Sequence, residues 1–308
     1  MIEEKYMHRC LQLAAYGKST VAPNPMVGAV VVCDGKIIGE GYHRVCGGSH
    51  AEVNAINAIK DVDLLKRSTL YVNLEPCSHY GKTPPCAELI IQKQIPCVVI
   101  GQQDPYPEVA GRGISLLRNA GVEVTTGVLE EECKDLNKSF LTFHQKHRPY
   151  IILKWAQSSD GFMDKFREIG DGQLPVKFSN DFTQVMVHKM RAEETAIMVG
   201  TRTEKLDKPQ LNVRCWYGKD PVVIKPLKNQ TLLEQMQELY QQKIQSLIVE
   251  GGSQLLQGFI EVGLWDEIRV EIHPMKLCKG VKVPLFSGRL ESVQNCENSS
   301  VFSFKNCI

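Results

Sequence analysis

The sequence predicts two consecutive α/β domains, and three observations support this prediction. The chain has 308 residues, and single domains commonly contain about 100–200 residues. Stretches with strand periodicity alternate with stretches of helical periodicity along the whole chain, which is typical of layered α/β folds. Pro149 separates two such series. We therefore expect one domain over residues 1–148 and a second over residues 149–308.

The first series opens with apolar residues at helical spacing, which predict a helix over residues 5–16. The β-branched run 26–33 predicts a strand. Asp34-Gly35 predicts a hairpin turn into a return strand that starts at Ile37.

The rest of the first series follows the same alternation. Pro85 suits the first turn of a helix, and Gly121 suits the position just after a helix. The last helical stretch ends in basic residues, which complement the helix dipole. We predict helices over residues 50–59, 85–93, 113–120 and 129–146 and strands over residues 69–74, 97–101 and 122–126.

The second series begins after Pro149. We predict strands over residues 150–156, 195–200, 221–225, 246–250 and 265–273, helices over residues 181–192, 231–243 and 253–262, and short strands from residue 283. The chain contains no internal repeat, so each domain needs its own core.

Composition argues against several classes of protein. Hydrophobic residues make up 43% and charged residues 23% of the chain, so disorder is not its main state. Lysine and arginine number 36 and acidic residues 35, which disfavours sequence-independent binding to nucleic acid. No apolar run reaches the roughly 18–20 residues of a membrane span, and the first residues do not resemble a signal peptide. With 11 irregularly spaced cysteines, we expect a cytoplasmic protein with mostly free thiols.

One group of residues has the composition of a catalytic zinc site. His50, Cys77 and Cys86 supply one imidazole and two thiolates, which suit tetrahedral zinc with a fourth position for water. Glu52 follows His50 by two residues and can carry protons beside the metal. Zinc deaminases share this H-x-E and P-C arrangement, although here eight residues separate the two cysteines instead of two. The alternative is a set of packing residues without metal, because short motifs also occur by chance.

The cysteine loop resembles a longer family pattern. Residues 75–86 read E-P-C-S-H-Y-G-K-T-P-P-C, which is similar to the E-P-C-x-H-x-G-x-T-P-P-C loop of the deaminases of riboflavin biosynthesis. Residues 23–28 resemble the P-N-P-x-V-G segment of the same family, and residues 41–43, 104–105 and 110–113 also fit. The resemblance covers the first domain and implies a cytidine-deaminase-like, three-layer α/β/α fold.

This resemblance also implies substrate-binding residues. Asn24 would lie near the pyrimidine ring, and His79, Lys82 and Thr83 would lie near the ribose phosphate. His43 is a further candidate for substrate binding. For each of these side chains the alternative is ordinary hydrogen bonding within a loop.

The second half resembles the pyrimidine reductase domain that is fused to this deaminase in bifunctional enzymes. The matching blocks are K-x-A-x-S-x-D-G from residue 154, H-x-x-R from 188, V-G-x-x-T-x-x-x-D-x-P-x-L-x-x-R from 199 and V-E-G-G from 249. The resemblance implies a dihydrofolate-reductase-like α/β fold and the use of NADPH.

The same blocks imply the roles of individual residues. The expected NADPH contacts are Ala156, Thr203, Asp207, Gly251 and Gly252, and the expected substrate contacts are Lys154, Arg191, Leu211, Arg214 and Glu250. A Gly-Gly pair between strand and helix lets a phosphate approach the backbone, although it is more often a tight turn. Arginine binds phosphate through two parallel hydrogen bonds, and solvated surface arginines are the alternative.

Two departures separate the second half from the family pattern. Lys177-Phe178-Ser179 stands where the family usually has Trp-Ile-Ser/Thr. Only Lys225 to Gln230 connects the strand at 221–225 to the next helix, so about one α/β unit is missing after residue 224. An active deaminase with an impaired reductase is therefore an alternative.

We expect a bifunctional enzyme that acts on a small phosphorylated pyrimidine. The first domain would hydrolytically deaminate 2,5-diamino-6-ribosylamino-4(3H)-pyrimidinone 5′-phosphate with one Zn²⁺, and the second would reduce the ribosyl chain with NADPH. A homodimer or higher homo-oligomer is expected, without nucleic-acid or membrane partners. Two alternatives remain, a deaminase of nucleic-acid bases and a non-enzymatic zinc-stabilised binding module.

Overall fold

A computed structural model of the protein describes residues 2–80, 84–105 and 110–307. The chain divides into two compact units, residues 1–146 and 147–308. Each unit has its own main sheet and its own hydrophobic core. Across the described ranges no helix is both long enough and apolar enough to cross a membrane.

The first unit contains a five-stranded sheet in the order β2-β1-β3-β4-β5. Strand β1 runs antiparallel to β2 and β3, whereas β3, β4 and β5 are parallel to one another. The elements are α1 (Glu4–Ala15), β1 (Gly28–Cys33), β2 (Lys36–Tyr42), α2 (Ala51–Asn57), a 3₁₀ helix (Val62–Arg67), β3 (Thr69–Leu74), α3 (Cys86–Gln92), β4 (Cys97–Gln102), α4 (Arg112–Asn119), β5 (Glu123–Thr126), α5 (Glu130–Leu136) and α6 (Lys138–Lys146).

Helices cover both faces of this sheet. One core cluster joins the strands to α2, α3 and α4, and another joins the opposite face to α1 and α5. Glycine permits the close approach of α1, because a Cβ on Gly28 would lie 2.1 Å from the carbonyl oxygen of Cys10. The predicted three-layer α/β/α fold is confirmed.

The prediction of a single helix over residues 129–146 is wrong. The structure has two helices, α5 and α6, with Asn137 between them. The buried Asn137 side chain accepts a hydrogen bond from Met26 N at 2.8 Å and donates one to Met26 O at 3.0 Å. These contacts fix a residue distant in sequence, so helical periodicity does not reveal the break.

The second unit contains a seven-stranded sheet in the order β13-β14-β11-β6-β10-β8-β9 and a separate pairing of β12 with β7. Its elements are β6 (Tyr150–Ser158), β7 (Phe162–Asp164), α7 (Asp181–Glu193), β8 (Ala196–Val199), α8 (Thr201–Asp207), β9 (Val222–Ile224), α9 (Leu232–Gln241), β10 (Ser246–Glu250), α10 (Ser253–Glu261), β11 (Glu267–His273), β12 (Val281–Lys282), β13 (Arg289–Cys296) and β14 (Ser299–Lys305).

The central strands of this sheet are parallel, and β14 and β13 add an antiparallel pair at one side. One core cluster joins the sheet to α9 and α10, and another joins its opposite face to α7. Among the described strands β9 forms the other edge, and its Val222 and Val223 side chains are half exposed. A short turn then leads to Thr231, which caps α9.

Candidate functional sites

The three predicted metal ligands lie together in the first unit. The donor atoms of His50, Cys77 and Cys86 all lie within 4.8 Å of one another. His50 Nδ1 is 3.5 Å from Cys77 Sγ and 3.3 Å from Cys86 Sγ. Tetrahedral zinc with its usual bond lengths separates nitrogen and sulfur ligands by about 3.5 Å. The arrangement therefore fits a zinc ion with three protein ligands.

The starts of two helices bring these ligands together. His50 precedes α2 as its N-cap residue, and Cys86 is the first residue of α3. Cys77 follows β3, where Cys86 N donates to its sulfur at 3.3 Å and Ala87 N donates to its carbonyl oxygen at 3.2 Å. A backbone N–H aimed at sulfur stabilises a thiolate, which is the form that binds metal.

The two thiols have opposite tendencies to ionise. The Cys86 thiol donates a hydrogen bond to Cys77 and lowers the pKa of Cys77 to about 4. The hydrogen bond to Cys77, followed by burial, raises the pKa of Cys86. Hydrogen bonding to Cys77 raises the pKa of His50. Cys77 is therefore the more readily ionised of the two thiols, and a cation bound at the cluster would favour the thiolate form of both.

Glu52 is a buried carboxyl beside this cluster. Its side chain lies in the first turn of α2, and the residue is 3% exposed. Burial, followed by the charge on Cys77, raises the pKa of Glu52 to about 7. A carboxyl of this pKa can take up and release a proton near neutral pH. The geometry therefore provides a metal-binding set and a proton carrier.

Asn24 and His43 form a hydrogen-bonded pair. His43 Nδ1 lies 3.0 Å from the carbonyl oxygen of Ser49, and His43 Nε2 lies 3.0 Å from Asn24 Nδ2. Donation from Nδ1 to the carbonyl leaves Nε2 to accept from the Asn24 amide. Burial lowers the pKa of His43, which favours this neutral form.

The other predicted substrate contacts of the first unit are His79, Lys82 and Thr83, in the segment between the two cysteines. His79 is exposed, and Lys82 and Thr83 lie outside the described residues. The structure therefore describes no contact between His79 and Asn24 or His43.

In the second unit, a glycine turn and a threonine lie together. Gly251 and Gly252 have φ values of +66° and +75° and precede α10. A Cβ on Gly252 would lie 3.1 Å from Thr203 Oγ1, so the turn packs closely against α8. Such a turn before a helix can approach a phosphate and fits a dinucleotide cofactor. Ala156 is half-buried on β6, and Asp207 ends α8.

The predicted substrate residues of this unit form a charged group. Arg191 donates to the Glu250 carboxylate from Nε at 3.2 Å and from Nη2 at 2.7 Å. Lys154 is the register partner of Glu250 on the neighbouring strand. Burial disfavours the charge on Glu250, but Lys154 and Arg191 outweigh burial and lower its pKa. The group therefore holds a buried carboxylate between two cations.

Leu211 and Arg214 differ in their surroundings. Leu211 is 6% exposed and packs in a core cluster, with φ at +53°. The exposed Arg214 donates from Nη1 to Asn212 Oδ1 at 3.1 Å, and Arg191 donates from Nη1 to the Asn212 carbonyl at 3.3 Å. Asn212 thus connects the two arginines.

Sequence reasoning gave no role to three residues that organise these sites. Buried Arg167 pairs with Asp164 and Asp207, and His188 Nδ1 accepts a hydrogen bond from Arg214 N at 3.1 Å. The third, Glu75, is the first residue of the E-P-C loop pattern, which assigned it no role. No local pattern could have identified these contacts, because their partners are distant in sequence.

Models of known protein families match the sequence of each unit. Residues 1–102 match the model of the cytidine and deoxycytidylate deaminase zinc-binding region. Residues 149–231 and 219–307 match the RibD C-terminal domain in two segments. The two segments overlap over residues 219–231, which include β9 and the short connection after it.

Related proteins cover nearly the whole chain. The riboflavin biosynthesis protein RibD of Aquifex aeolicus is 36% identical over an alignment of 329 residues, gaps included. The alignment covers 92% of this chain and 90% of that protein. RibD of Actinobacillus pleuropneumoniae is 36% identical over 337 residues, spanning 92% and 87%.

Two solved structures superimpose on nearly the whole chain. A diaminohydroxyphosphoribosylaminopyrimidine deaminase/5-amino-6-(5-phosphoribosylamino)uracil reductase from Thermotoga maritima superimposes with a TM-score of 0.89 at 35% identity, covering 99% of this chain and 98% of that one. RibD of Acinetobacter baumannii gives 0.87 at 30% identity, covering 98% of both chains. The chain therefore belongs to the RibD family of riboflavin biosynthesis proteins, with a deaminase zinc-binding region followed by a RibD reductase domain.

Proposed function

We propose that the first unit hydrolyses the ring amine of 2,5-diamino-6-ribosylamino-4(3H)-pyrimidinone 5′-phosphate and that the second unit reduces the ribosyl chain of the product to ribityl. The observation that carries the first step is the convergence of His50, Cys77 and Cys86 beside the buried carboxyl of Glu52. The substrate follows from membership in the RibD family.

In the first step, His50, Cys77 and Cys86 would hold a zinc ion, which would supply the Lewis acidity that makes water nucleophilic near neutral pH. Glu52 takes up the proton that the attacking water releases and delivers it to the departing amine, which leaves as ammonia. Its pKa of about 7 suits both transfers. Asn24, oriented by His43, contacts the pyrimidine ring. His79, Lys82 and Thr83 contact the ribose phosphate.

In the second step, NADPH supplies the hydride. Thr203, Gly251 and Gly252 hold the cofactor at the start of α10, and Ala156 and Asp207 complete its site. Lys154, Arg191 and Glu250 position the ribosyl chain next to it. Leu211 and Arg214 contribute the remaining substrate contacts.

Mass spectrometry of the pyrimidine after incubation with zinc-loaded protein and NADPH tests both steps. A product that is deaminated and reduced supports the whole proposal. Glu52→Gln, incubated in parallel, should leave the starting amine intact. An unchanged substrate with the wild-type protein would refute the first step.

A second candidate function is an active deaminase joined to an impaired reductase. The two-segment match to the reductase domain and the sheet edge at β9 favour this alternative. A titration with NADPH, followed by cofactor fluorescence, separates the two candidates. Saturable binding together with a reduced product rejects the impaired reductase, and a product that is only deaminated supports it.

Cellular location and assembly are further parts of the proposal. Every cysteine of the chain is free, which suits the reducing cytoplasm. We propose a homodimer or higher homo-oligomer, and light scattering at several concentrations tests it. A monomer at all concentrations would refute this part.

A further inference from the structure

The side-chain carboxylate of Glu75 accepts hydrogen bonds at the start of α4, a helix that contains none of the three proposed metal ligands. Glu75 is the first residue after β3 and is 5% exposed. Its Oε1 accepts from Gly113 N at 2.9 Å and from Ile114 N at 3.2 Å. Its Oε2 accepts from Gly111 N at 3.0 Å and from Asp104 N at 3.2 Å. Four main-chain N–H groups thus surround one buried carboxylate.

Three of these four bonds, from Gly111, Gly113 and Ile114, satisfy N–H groups that helix α4 cannot satisfy itself. The N-cap residue of α4 is Gly111, which has no side chain to accept from the first turn. Glu75 supplies the missing acceptor from a distant segment, and the positive end of the helix dipole favours its negative charge. Among the described residues, the ion pairs include no cationic partner of Glu75. Main-chain donors therefore carry the stabilisation of this charge.

The same contact fixes the backbone that leads to Cys77. Glu75 N donates to the carbonyl oxygen of Gln102 at 3.0 Å. Pro76 lies directly against α4, because a Cβ on Gly113 would be 2.1 Å from the Pro76 carbonyl oxygen. On the other side of the ligand, Ala87 N donates to the carbonyl oxygen of Cys77 at 3.2 Å. The two residues before Cys77 are therefore fixed by α4, and Cys77 itself is fixed by the start of α3.

We propose that Glu75 is a positioning residue of the zinc site, which fixes the location of Cys77 by anchoring the start of the cysteine loop to α4. This inference rests on the proposed zinc-dependent function. The anchoring requires a carboxylate, because each of its two oxygens accepts two N–H bonds. An amide at this position would direct an NH₂ group at two N–H donors and release one side of the loop.

Glu75→Gln tests the proposal, with Gly121→Ala as the matched control. Gly121 follows the other end of α4 with φ at +83° and no atom near its Cβ position, so alanine strains the helix without touching the loop. The readouts are the zinc dissociation constant in competition with a chelator and the thiolate-to-Co²⁺ absorption of the cobalt-loaded protein. We expect Glu75→Gln to raise the dissociation constant by about 10- to 100-fold and to alter the absorption. Gly121→Ala should leave both at wild-type values.

Gly113→Ala provides a second variant that keeps the carboxylate. Its added Cβ would push Pro76 away from α4, so it should weaken zinc binding in the same direction. The proposal is overturned if Glu75→Gln lowers thermal stability but binds zinc and cobalt like the wild type, or if Gly121→Ala changes binding as much as Glu75→Gln does. A wild-type protein that binds no zinc would instead refute the proposed function itself.

Discussion

The metal cluster of the first unit and the charged group of the second unit are built in different ways. All three zinc ligands come from residues 50–86, at or beside the starts of two helices. The charged group joins Lys154 on β6, Arg191 on α7 and Glu250 on β10. The first group combines three side chains that could bind a metal with a carboxyl of raised pKa, and the second contains cations that lower the pKa of a carboxyl. The first group therefore comes from one short stretch of the chain, whereas the members of the second group come from three separate sequence blocks.

The largest expected effect concerns the proton carrier of the first unit. Glu52→Gln should lower the turnover number of deamination by about 10²- to 10⁴-fold, because the amide cannot accept the proton of water. Zinc content and reduction of previously deaminated substrate should stay at wild-type levels. Steady-state kinetics and metal analysis measure these quantities, with the exposed Glu131→Gln as control. Unimpaired deamination in Glu52→Gln would remove Glu52 from this role.

The next effect concerns the ion pair of the second unit. Arg191→Met should destabilise this unit by about 3–5 kcal/mol, because it leaves the largely buried Glu250 carboxylate without its hydrogen-bonded partner. The double variant Arg191→Met/Glu250→Gln should recover part of this loss. The tryptophans, Trp155, Trp216 and Trp265, all belong to this unit, so urea unfolding followed by tryptophan fluorescence reports on it. If the changes in unfolding free energy of Arg191→Met and Glu250→Gln simply add up to that of the double variant, the ion pair does not stabilise the unit.

The glycine turn of the second unit should respond more weakly. Gly252→Ala places a side chain at φ +75° and close to Thr203, which should cost about 1–2 kcal/mol. Binding of NADPH should weaken in parallel, as measured by cofactor fluorescence. Gly263→Ala, also at positive φ but with open space around its Cβ position, is the control and should bind NADPH normally. Equal NADPH affinities of the wild type, Gly252→Ala and Gly263→Ala would exclude this turn from the cofactor site.

The smallest effect is a pH dependence of stability in the second unit. Burial, with Arg191 and Arg214, lowers the pKa of His188 below its ordinary value. The unfolded chain therefore binds more protons, so stability should fall as the pH drops through about 6.5, the ordinary pKa of histidine. His188→Asn keeps an acceptor for Arg214 N and should reduce this loss by about 1 kcal/mol between pH 7.5 and 5.5. An identical pH dependence in the variant would contradict the prediction.

The sequence predicted the elements that carry each site more accurately than the contacts between them. β3 and β10 begin and end where the periodicity of the sequence places them, because their apolar runs are buried on both faces. The helix over 129–146 was mispredicted, since the hydrogen bonds between Asn137 and Met26 have no local signal. The proximity of His50, Cys77 and Cys86 was predictable because a metal site demands particular residue types at limited spacing, and their role as zinc ligands stays a prediction.

The sequence by itself determined the two α/β domains, the ligand types of the metal site and the family. Only the tertiary structure decided that Arg191 pairs with Glu250, that His43 orients Asn24 and that Glu75 anchors the cysteine loop to α4. Periodicity and motif spacing reflect which residues must be buried or must bind a ligand along a short stretch of chain. Hydrogen bonds and ion pairs between distant segments depend on which strands and helices become neighbours, and that arrangement is fixed when the sheet assembles.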